Sequence, residues 1–182
     1  MIAPNGLDRT WNFWRPDGYD VPFAQAVIED VARRYPIDRE KIFVSGYSYG
    51  AAMAWRYACE AGDGLRALLA IGGTLRQTES CRQAPHEVRH VHGLKDTVMR
   101  FPMGPGQDVT YPVALWRDIY GCGNPQREGS WQAVHWLTLE RYVWSCDGGR
   151  VVLDVHPGGH FIPHGWIGWQ LDQLMGRAPR YP

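Results

Sequence analysis

The chain has 182 residues, which is enough for one substantial hydrophobic core and short for two domains. Its 45% hydrophobic content is typical of a folded protein and excludes a disordered one. The formal net charge is zero, no block of like charges occurs, and no apolar stretch reaches the roughly 20 residues that span a bilayer. We therefore expect a single domain over 1–182, with no nucleic acid partner and no membrane insertion. The opening MIAPNGLDRT lacks the pattern of a signal peptide.

The predicted elements alternate between helix and strand, which indicates an α/β fold with a mostly parallel sheet. In chain order they are a helix from Asp20 to the residue before Pro36, a strand Lys41–Ser45, a helix from Ser48 to about Ala61, strands Ala67–Ile71 and Val88–His92, a helix from about Tyr111 to Tyr120, a strand Val151–His156, and a helix from about Trp166 to Met175. The Trp-rich segment 123–144 is harder to assign, and we predict a strand-bearing excursion there.

A G-x-S-x-G pattern centred on Ser48 lies in the segment IFVSGYSYGAAMAW, between a predicted strand and a predicted helix. A serine on such a tight turn holds its hydroxyl above the sheet, and the N–H groups of the following helix favour negative charge beside it. The pattern alone is common by chance, so a structural turn serine is the alternative. The strand before it and the helix after it favour a nucleophile.

A serine nucleophile needs a histidine base and a carboxylate that orients the base. In this architecture the order is Ser, then Asp or Glu, then His, each after a strand. Asp96 follows a strand in HVHGLKD, and His160 follows the last strand in HPGGH. Asp154 lies inside a strand and Asp147 lies before one, so neither fits as well.

The other histidines have less specific patterns. His90 and His92 are predicted strand residues, which more often belong to a core or an edge than to a catalytic base. His156, His160 and His164 recur at four-residue intervals, as metal ligands on one helix face would. The prolines and glycines between them oppose a helix there, so we predict no metal and no cofactor.

The cysteines allow either disulfides or buried thiols. There are four, at Cys59, Cys81, Cys122 and Cys146, and none forms a CxxC pair. Three connectivities are possible, of which the pairing of sequence neighbours, Cys59 with Cys81 and Cys122 with Cys146, is the simplest. Free cysteine also packs well as a small apolar residue, so spacing alone does not decide between them.

Three segments, IDREKIFVSGYSYGAAMAWRYACE, HVHGLKD and VHPGGHFIPHGW, together resemble the α/β-hydrolase family of polyhydroxybutyrate depolymerase and feruloyl esterase type. The resemblance runs from APNGLDRTWNFW to the last helix. It implies an α/β-hydrolase fold with helices on both faces of the sheet, and a serine esterase. It further implies Ser48 as nucleophile, Asp96 as triad acid, His160 as base and the Tyr49 N–H as an oxyanion donor. The substrates implied are small or polymeric esters, either polyhydroxyalkanoate-like or feruloyl and acetyl esters.

The cysteines of the family also match those of this chain, and members of the family are usually exported. The resemblance therefore favours disulfides and implies a secreted or periplasmic full-length protein. One family feature does not match: an apolar strand ending in HG, which supplies a second oxyanion donor, precedes the APNG strand in the family. We expect the chain to lack the N-terminal strands of the fold, and to be less stable and less active than a longer parent.

Aromatic residues near the predicted triad are candidate substrate contacts, namely Tyr47, Phe161 and Trp166. For most of the nine tryptophans, core packing is the simpler interpretation. Two other functions stay open: an inactive polymer- or carbohydrate-binding module, and another serine hydrolase such as a peptidase or thioesterase. The sequence does not indicate an oligomeric state.

Overall fold

A computed structural model of the protein describes residues 1–15, 17–76, 81, 83–104, 107–108 and 110–180. The helices are α1 (Asp20–Arg34), α2 (Tyr49–Ala61), α3 (Tyr111–Ile119) and α4 (Trp166–Leu174). The strands are β1 (Phe43–Tyr47), β2 (Ala67–Ile71), β3 (Glu87–Gly93), β4 (Met103–Gly104), β5 (Gln107–Asp108), β6 (Gln126–Val134), β7 (Leu137–Ser145) and β8 (Arg150–His156). None of the helices in this described part is long and apolar enough to cross a membrane.

Six strands form one mixed sheet in the order β1-β2-β3-β8-β7-β6. The first four pair in parallel, and β7 and β6 pair antiparallel to their neighbours. The segment 123–144 is thus a long hairpin that extends the sheet, as predicted in outline. Two short strands, β4 and β5, form a separate antiparallel pair.

Helices cover both faces of the sheet, as predicted. On one face α2 and α3 pack on β2, β3 and β8, and α2 brings its alanines directly against the strands. On the other face α4 packs through Trp166 on β2, β3 and the hairpin. Because both faces are covered, β2 and β3 are fully buried. Strand β2 is entirely apolar, whereas β3 carries the buried polar residues Glu87, Arg89, His90 and His92.

Strand β1 begins two residues later than predicted. The segment Arg39–Lys41 forms a short 3₁₀ turn, in which the side chain of Asp38 accepts a hydrogen bond from the N–H of Glu40. This local capping competes with strand pairing at the start of the predicted segment. Among the described strands, β1 pairs only with β2 and is half-buried. The expectation stated above for the N-terminal strands of the fold is not tested and stays a prediction.

Two disulfides join sequence neighbours, which confirms the simplest of the three connectivities. Cys59, near the end of α2, is bonded to Cys81, and Cys122, just after α3, is bonded to Cys146, just after β7. Each bond closes a loop of more than 20 residues, with sequence separations of 22 and 24. The second bond ties α3 to the hairpin.

Candidate active site

Ser48 lies on a sharp turn between β1 and α2. Its backbone is at φ 54° and ψ −119°, a left-handed conformation that few non-glycine residues adopt. Gly46 permits the turn, because a Cβ there would lie 2.0 Å from the carbonyl oxygen of Gly50. At Gly50 an added Cβ would meet no atom within 4 Å. The turn therefore requires only the first of the two glycines.

The three predicted triad side chains lie within hydrogen-bonding distance of one another. Oγ of Ser48 is 2.9 Å from Nε2 of His160, and Nδ1 of His160 is 2.6 Å from Oδ2 of Asp96. A carboxylate can only accept, so the N–H at Nδ1 donates to Asp96. This tautomer leaves Nε2 with a lone pair that faces the serine hydroxyl, as a general base requires.

Asp96 is held in place by the loop after β3. Its Oδ1 accepts hydrogen bonds from the backbone N–H groups of Val98 and Met99, each at 2.8 Å. The residue is 4% exposed. Because the backbone N–H groups occupy Oδ1, the carboxylate is held with Oδ2 toward Nδ1 of His160.

His160 lies in a loop, residues 157–165, that follows β8 and packs against the end of β3. The N–H of Lys95 donates to the carbonyl of Gly158 at 2.9 Å. Gly93 permits this contact, since a Cβ there would lie 2.3 Å from the carbonyl oxygen of Gly159. Tyr47 holds the loop from β1, with its hydroxyl donating to the carbonyl of His160 at 3.0 Å and its ring 4.8 Å from the imidazole.

Tyr49, the predicted oxyanion donor, follows Ser48 directly and is the first residue of α2. Its N–H therefore has no acceptor within the helix. The positive end of the helix dipole lies at the same place. The oxyanion role of this N–H stays a prediction.

No family model matches the chain. Among curated proteins, it is 31% identical over 155 residues to feruloyl esterase C of Emericella nidulans, covering 81% of this chain and 57% of the relative. It is 28% identical over 143 residues to a probable feruloyl esterase C of Aspergillus niger, covering 69% of this chain and 52% of that protein. The chain is thus similar in sequence to feruloyl esterases. It spans about half the length of these two relatives.

A solved structure has the same fold. The acetyl xylan esterase from Aspergillus awamori superposes with a TM-score of 0.60 at 17% identity, covering 86% of this chain and 68% of that one. At this identity the likeness establishes the fold, which is of the α/β-hydrolase type.

Behind the candidate triad lies a row of buried histidines that the sequence did not connect to the site. Nε2 of His92 is 2.6 Å from the carbonyl oxygen of Met99 and 3.5 Å from Oδ2 of Asp96. A carbonyl only accepts, so this nitrogen carries the proton. Nδ1 of His92 therefore accepts from Nε2 of His90, 3.1 Å away. Burial lowers the pKa of both imidazoles, which keeps them neutral.

His156 is a third buried histidine near the triad. Its Nδ1 accepts a hydrogen bond from the N–H of Gly158 at 3.2 Å. Burial, with a smaller contribution from the neighbouring His92, lowers the pKa of His156 to about 4, and Asp96 acts in the opposite direction. Within the described ranges no group of three His, Cys, Asp or Glu residues could hold a metal ion.

The predicted substrate contact of Trp166 needs correction. Trp166 is fully buried on the face of the sheet covered by α4, and its Nε1–H donates to Oδ2 of Asp154 at 2.7 Å. Asp154 is also paired through both oxygens with the guanidinium of Arg141, at 2.6 and 2.8 Å. The two ends of the loop that carries His160 are thus joined beneath it, since Asp154 precedes this loop and Trp166 follows it.

Phe161, the other predicted aromatic contact, lies beside the triad histidine and is half-buried. Its ring is 4.7 Å from that of His156 and 6.1 Å from that of Trp136. Trp136 lies at the tip of the β6–β7 hairpin, and sequence reasoning missed it because that hairpin had no clear pattern. Its neighbours in the sequence do not indicate that the tip reaches the site.

Proposed function

We propose that the protein hydrolyses carboxylic esters through Ser48, His160 and Asp96. The observation that supports this most strongly is the continuous row of hydrogen-bonding distances, 2.9 Å from Ser48 to His160 and 2.6 Å from His160 to Asp96. The strained turn at Ser48 and the helix N-terminus beside it also support the proposal, since an exposed hydroxyl and one oxyanion donor are what such a turn offers to acyl transfer.

In this reaction Oγ of Ser48 attacks the ester carbonyl carbon while Nε2 of His160 takes the hydroxyl proton. The N–H of Tyr49 donates to the oxyanion of the tetrahedral intermediate. His160 then gives its proton to the departing alcohol, which leaves an acyl-enzyme on Ser48. A water molecule, deprotonated by His160, attacks the acyl carbon and releases the acid. Asp96 stabilises the imidazolium in both halves of the reaction.

We propose polysaccharide-linked feruloyl or acetyl esters as the substrate class. The names of the related proteins, feruloyl esterases and an acetyl xylan esterase, support this choice. Polyhydroxyalkanoate oligomers are the competing class, because the sequence motifs also resemble polyhydroxybutyrate depolymerases. A panel of methyl ferulate, acetylated xylan and hydroxybutyrate oligomers separates the two, and hydrolysis of the oligomers alone would contradict the proposal.

The triad is tested by covalent labelling and turnover. A fluorophosphonate probe should label the native protein and fail to label the Ser48→Ala variant, which should also lose turnover of p-nitrophenyl butyrate. Asp96→Asn should lower kcat by roughly 10³–10⁴, because the imidazole loses its orienting carboxylate. Asp147→Asn changes an exposed carboxylate and is the matched control. Labelling that persists without Ser48 would remove it as the nucleophile.

We propose that the protein functions in an oxidising compartment, such as the periplasm or the extracellular space. The two disulfides support this, since such bonds are rare in the reducing cytosol. Thiol counting on protein purified from its native source tests the proposal, and four free thiols would contradict it.

A further inference from the structure

Trp136 is the most exposed tryptophan side chain in the described part of the chain. It is 63% exposed, whereas Trp55, Trp116 and Trp166 are fully buried. Exposing an indole to water forgoes the burial of one of the largest apolar surfaces a residue can offer. This exposed ring, at the tip of the β6–β7 hairpin, is available for contact with a ligand.

The hairpin tip lies at the same edge of the sheet as the triad. Strand β7 runs antiparallel to β8, with Glu140 opposite Val155, so the start of β7 extends past the carboxyl end of β8. That end of β8 leads into the loop with His160. Trp136, just before β7, therefore reaches the edge where the triad lies.

Trp136 lies next to the loop that carries His160. Its ring is 6.1 Å from the ring of Phe161, at an interplanar angle of 53°. Phe161 follows His160 directly in the chain, and its own ring lies 4.7 Å from that of His156. A substrate that touches both Ser48 and Trp136 must therefore extend beyond the ester group itself.

The residues near Trp136 in the sequence favour a sugar chain over a polyester chain as the extended substrate. His135 directly precedes Trp136 in the sequence and Thr138 follows it by two residues, and both of these polar residues are exposed. A sugar ring has an apolar C–H face for the indole and hydroxyl groups at its rim for such polar neighbours. A polyester chain would instead require a continuous apolar trough.

We propose that Trp136 docks the sugar chain that carries the ester, by stacking on a ring beyond the one at the scissile bond. This inference rests on the proposed esterase function and specifies its substrate as a polysaccharide. The docking surface consists of Trp136 and the neighbouring Phe161.

The test compares polymeric and small substrates. For Trp136→Ala, the ratio of kcat/KM on acetylated xylan to kcat/KM on p-nitrophenyl acetate should fall about tenfold, mainly through KM on the polymer. Trp136→Phe should keep most of the ratio, because a stacking ring remains. Tyr35→Ala is the matched control, since Tyr35 is 61% exposed but precedes β1 at the opposite edge of the sheet.

Binding without turnover separates this inference from the proposed function. The inactive Ser48→Ala protein should co-sediment with insoluble xylan, and adding Trp136→Ala should reduce the bound fraction severalfold. An unchanged ratio and an unchanged bound fraction would overturn the docking role even if the protein is an esterase. Loss of binding to polyhydroxybutyrate granules but not to xylan would overturn the assignment to a sugar. If the small ester is not hydrolysed by the native protein, the esterase proposal fails, and the sedimentation result alone decides the docking role.

Discussion

The backbone of Ser48 is strained, and its immediate surroundings accommodate the strain. Its positive φ is stabilised by the strand before it and the helix after it, and Gly46 leaves room for the backbone of the next turn. The second glycine of the pattern has no such steric role. The motif therefore contains one glycine that the turn requires and one that this structure leaves unconstrained.

The two glycines should respond differently to alanine. Gly46→Ala places a methyl group against the backbone of Gly50 and should lower both the melting temperature and esterase activity sharply. Gly50→Ala, inside α2 and clear of other atoms, should raise the free energy of unfolding by about 0.5–1 kcal/mol, because alanine favours a helix. Thermal melts of the two variants compare them directly. Equal destabilisation by both substitutions would contradict the assignment.

At the scale of elements, the loop 157–165 depends on a buried polar network rather than on secondary structure of its own. Asp154 on β8 and Trp166 on α4 join its two ends, and Arg141 on β7 neutralises the carboxylate. A buried carboxylate is stable only when its oxygens have donors. The same bonds that keep Asp154 in the core therefore hold the start and end of the loop that carries His160.

Trp166→Phe should test this arrangement, because it removes the Nε1–H and keeps an aromatic ring. We expect a loss of about 1–3 kcal/mol in the free energy of unfolding, since Asp154 loses one donor. We also expect a lower kcat with little change in KM, because the loop that carries His160 becomes less fixed.

Trp116→Phe on the other face of the sheet is the control. Trp116 is as fully buried as Trp166, but its Nε1–H has no hydrogen-bond partner among the described residues, so this substitution removes ring volume without removing a hydrogen bond. Urea unfolding and steady-state kinetics measure both effects. A Trp166→Phe protein as stable as the native one would show that the hydrogen bond to Asp154 is dispensable.

At the scale of the whole molecule, the candidate triad lies at the carboxyl edge of the sheet. Loops after β1, β3 and β8 bring Ser48, Asp96 and His160 together from positions far apart in the chain. Beneath this edge lie His90, His92 and His156, all buried. Burial disfavours the charged form of an imidazole, so the folded protein holds all three in the neutral state.

This burial makes stability depend on pH. Because the folded-state pKa of each imidazole lies below its unfolded value of 6.5, the stabilisation is fully present above pH 6.5 and is lost as the pH falls. For His156, a decrease in pKa from 6.5 to about 4 corresponds to about 3 kcal/mol, lost between those two pH values. Urea unfolding at a series of pH values measures this loss of stability.

His156→Gln provides the comparison for the pH series. A glutamine does not titrate, so the variant should be less stable at pH 8 but lose less stability between pH 6.5 and pH 4. Parallel pH profiles for the native protein and the variant would show that His156 does not contribute to the acid sensitivity.

Much of the fold was predictable from local patterns. Strand β2 has the predicted bounds, α2, α3, β8 and α4 differ by one residue at one end, and β3 is longer by one residue at each end. Apolar spacing and glycine or proline breaks are local signals, which is why these bounds were predictable. The disulfide pairing also followed sequence proximity. The hairpin β6–β7 was predicted only in outline, since its exposed strand β6 has no regular alternation of apolar residues.

The sequence by itself determined which residue types could form a nucleophile, a base and an acid, and in what order, because those requirements depend on local turns and on chain direction. Only the tertiary structure decided which aromatic residues meet the site. Trp166, next to the His160 loop in sequence, is in the core, and Trp136, more than 20 residues away, lies at the catalytic edge. The physical reason is that exposure depends on which strands pair and which face a helix covers, and these are long-range contacts that no short segment encodes.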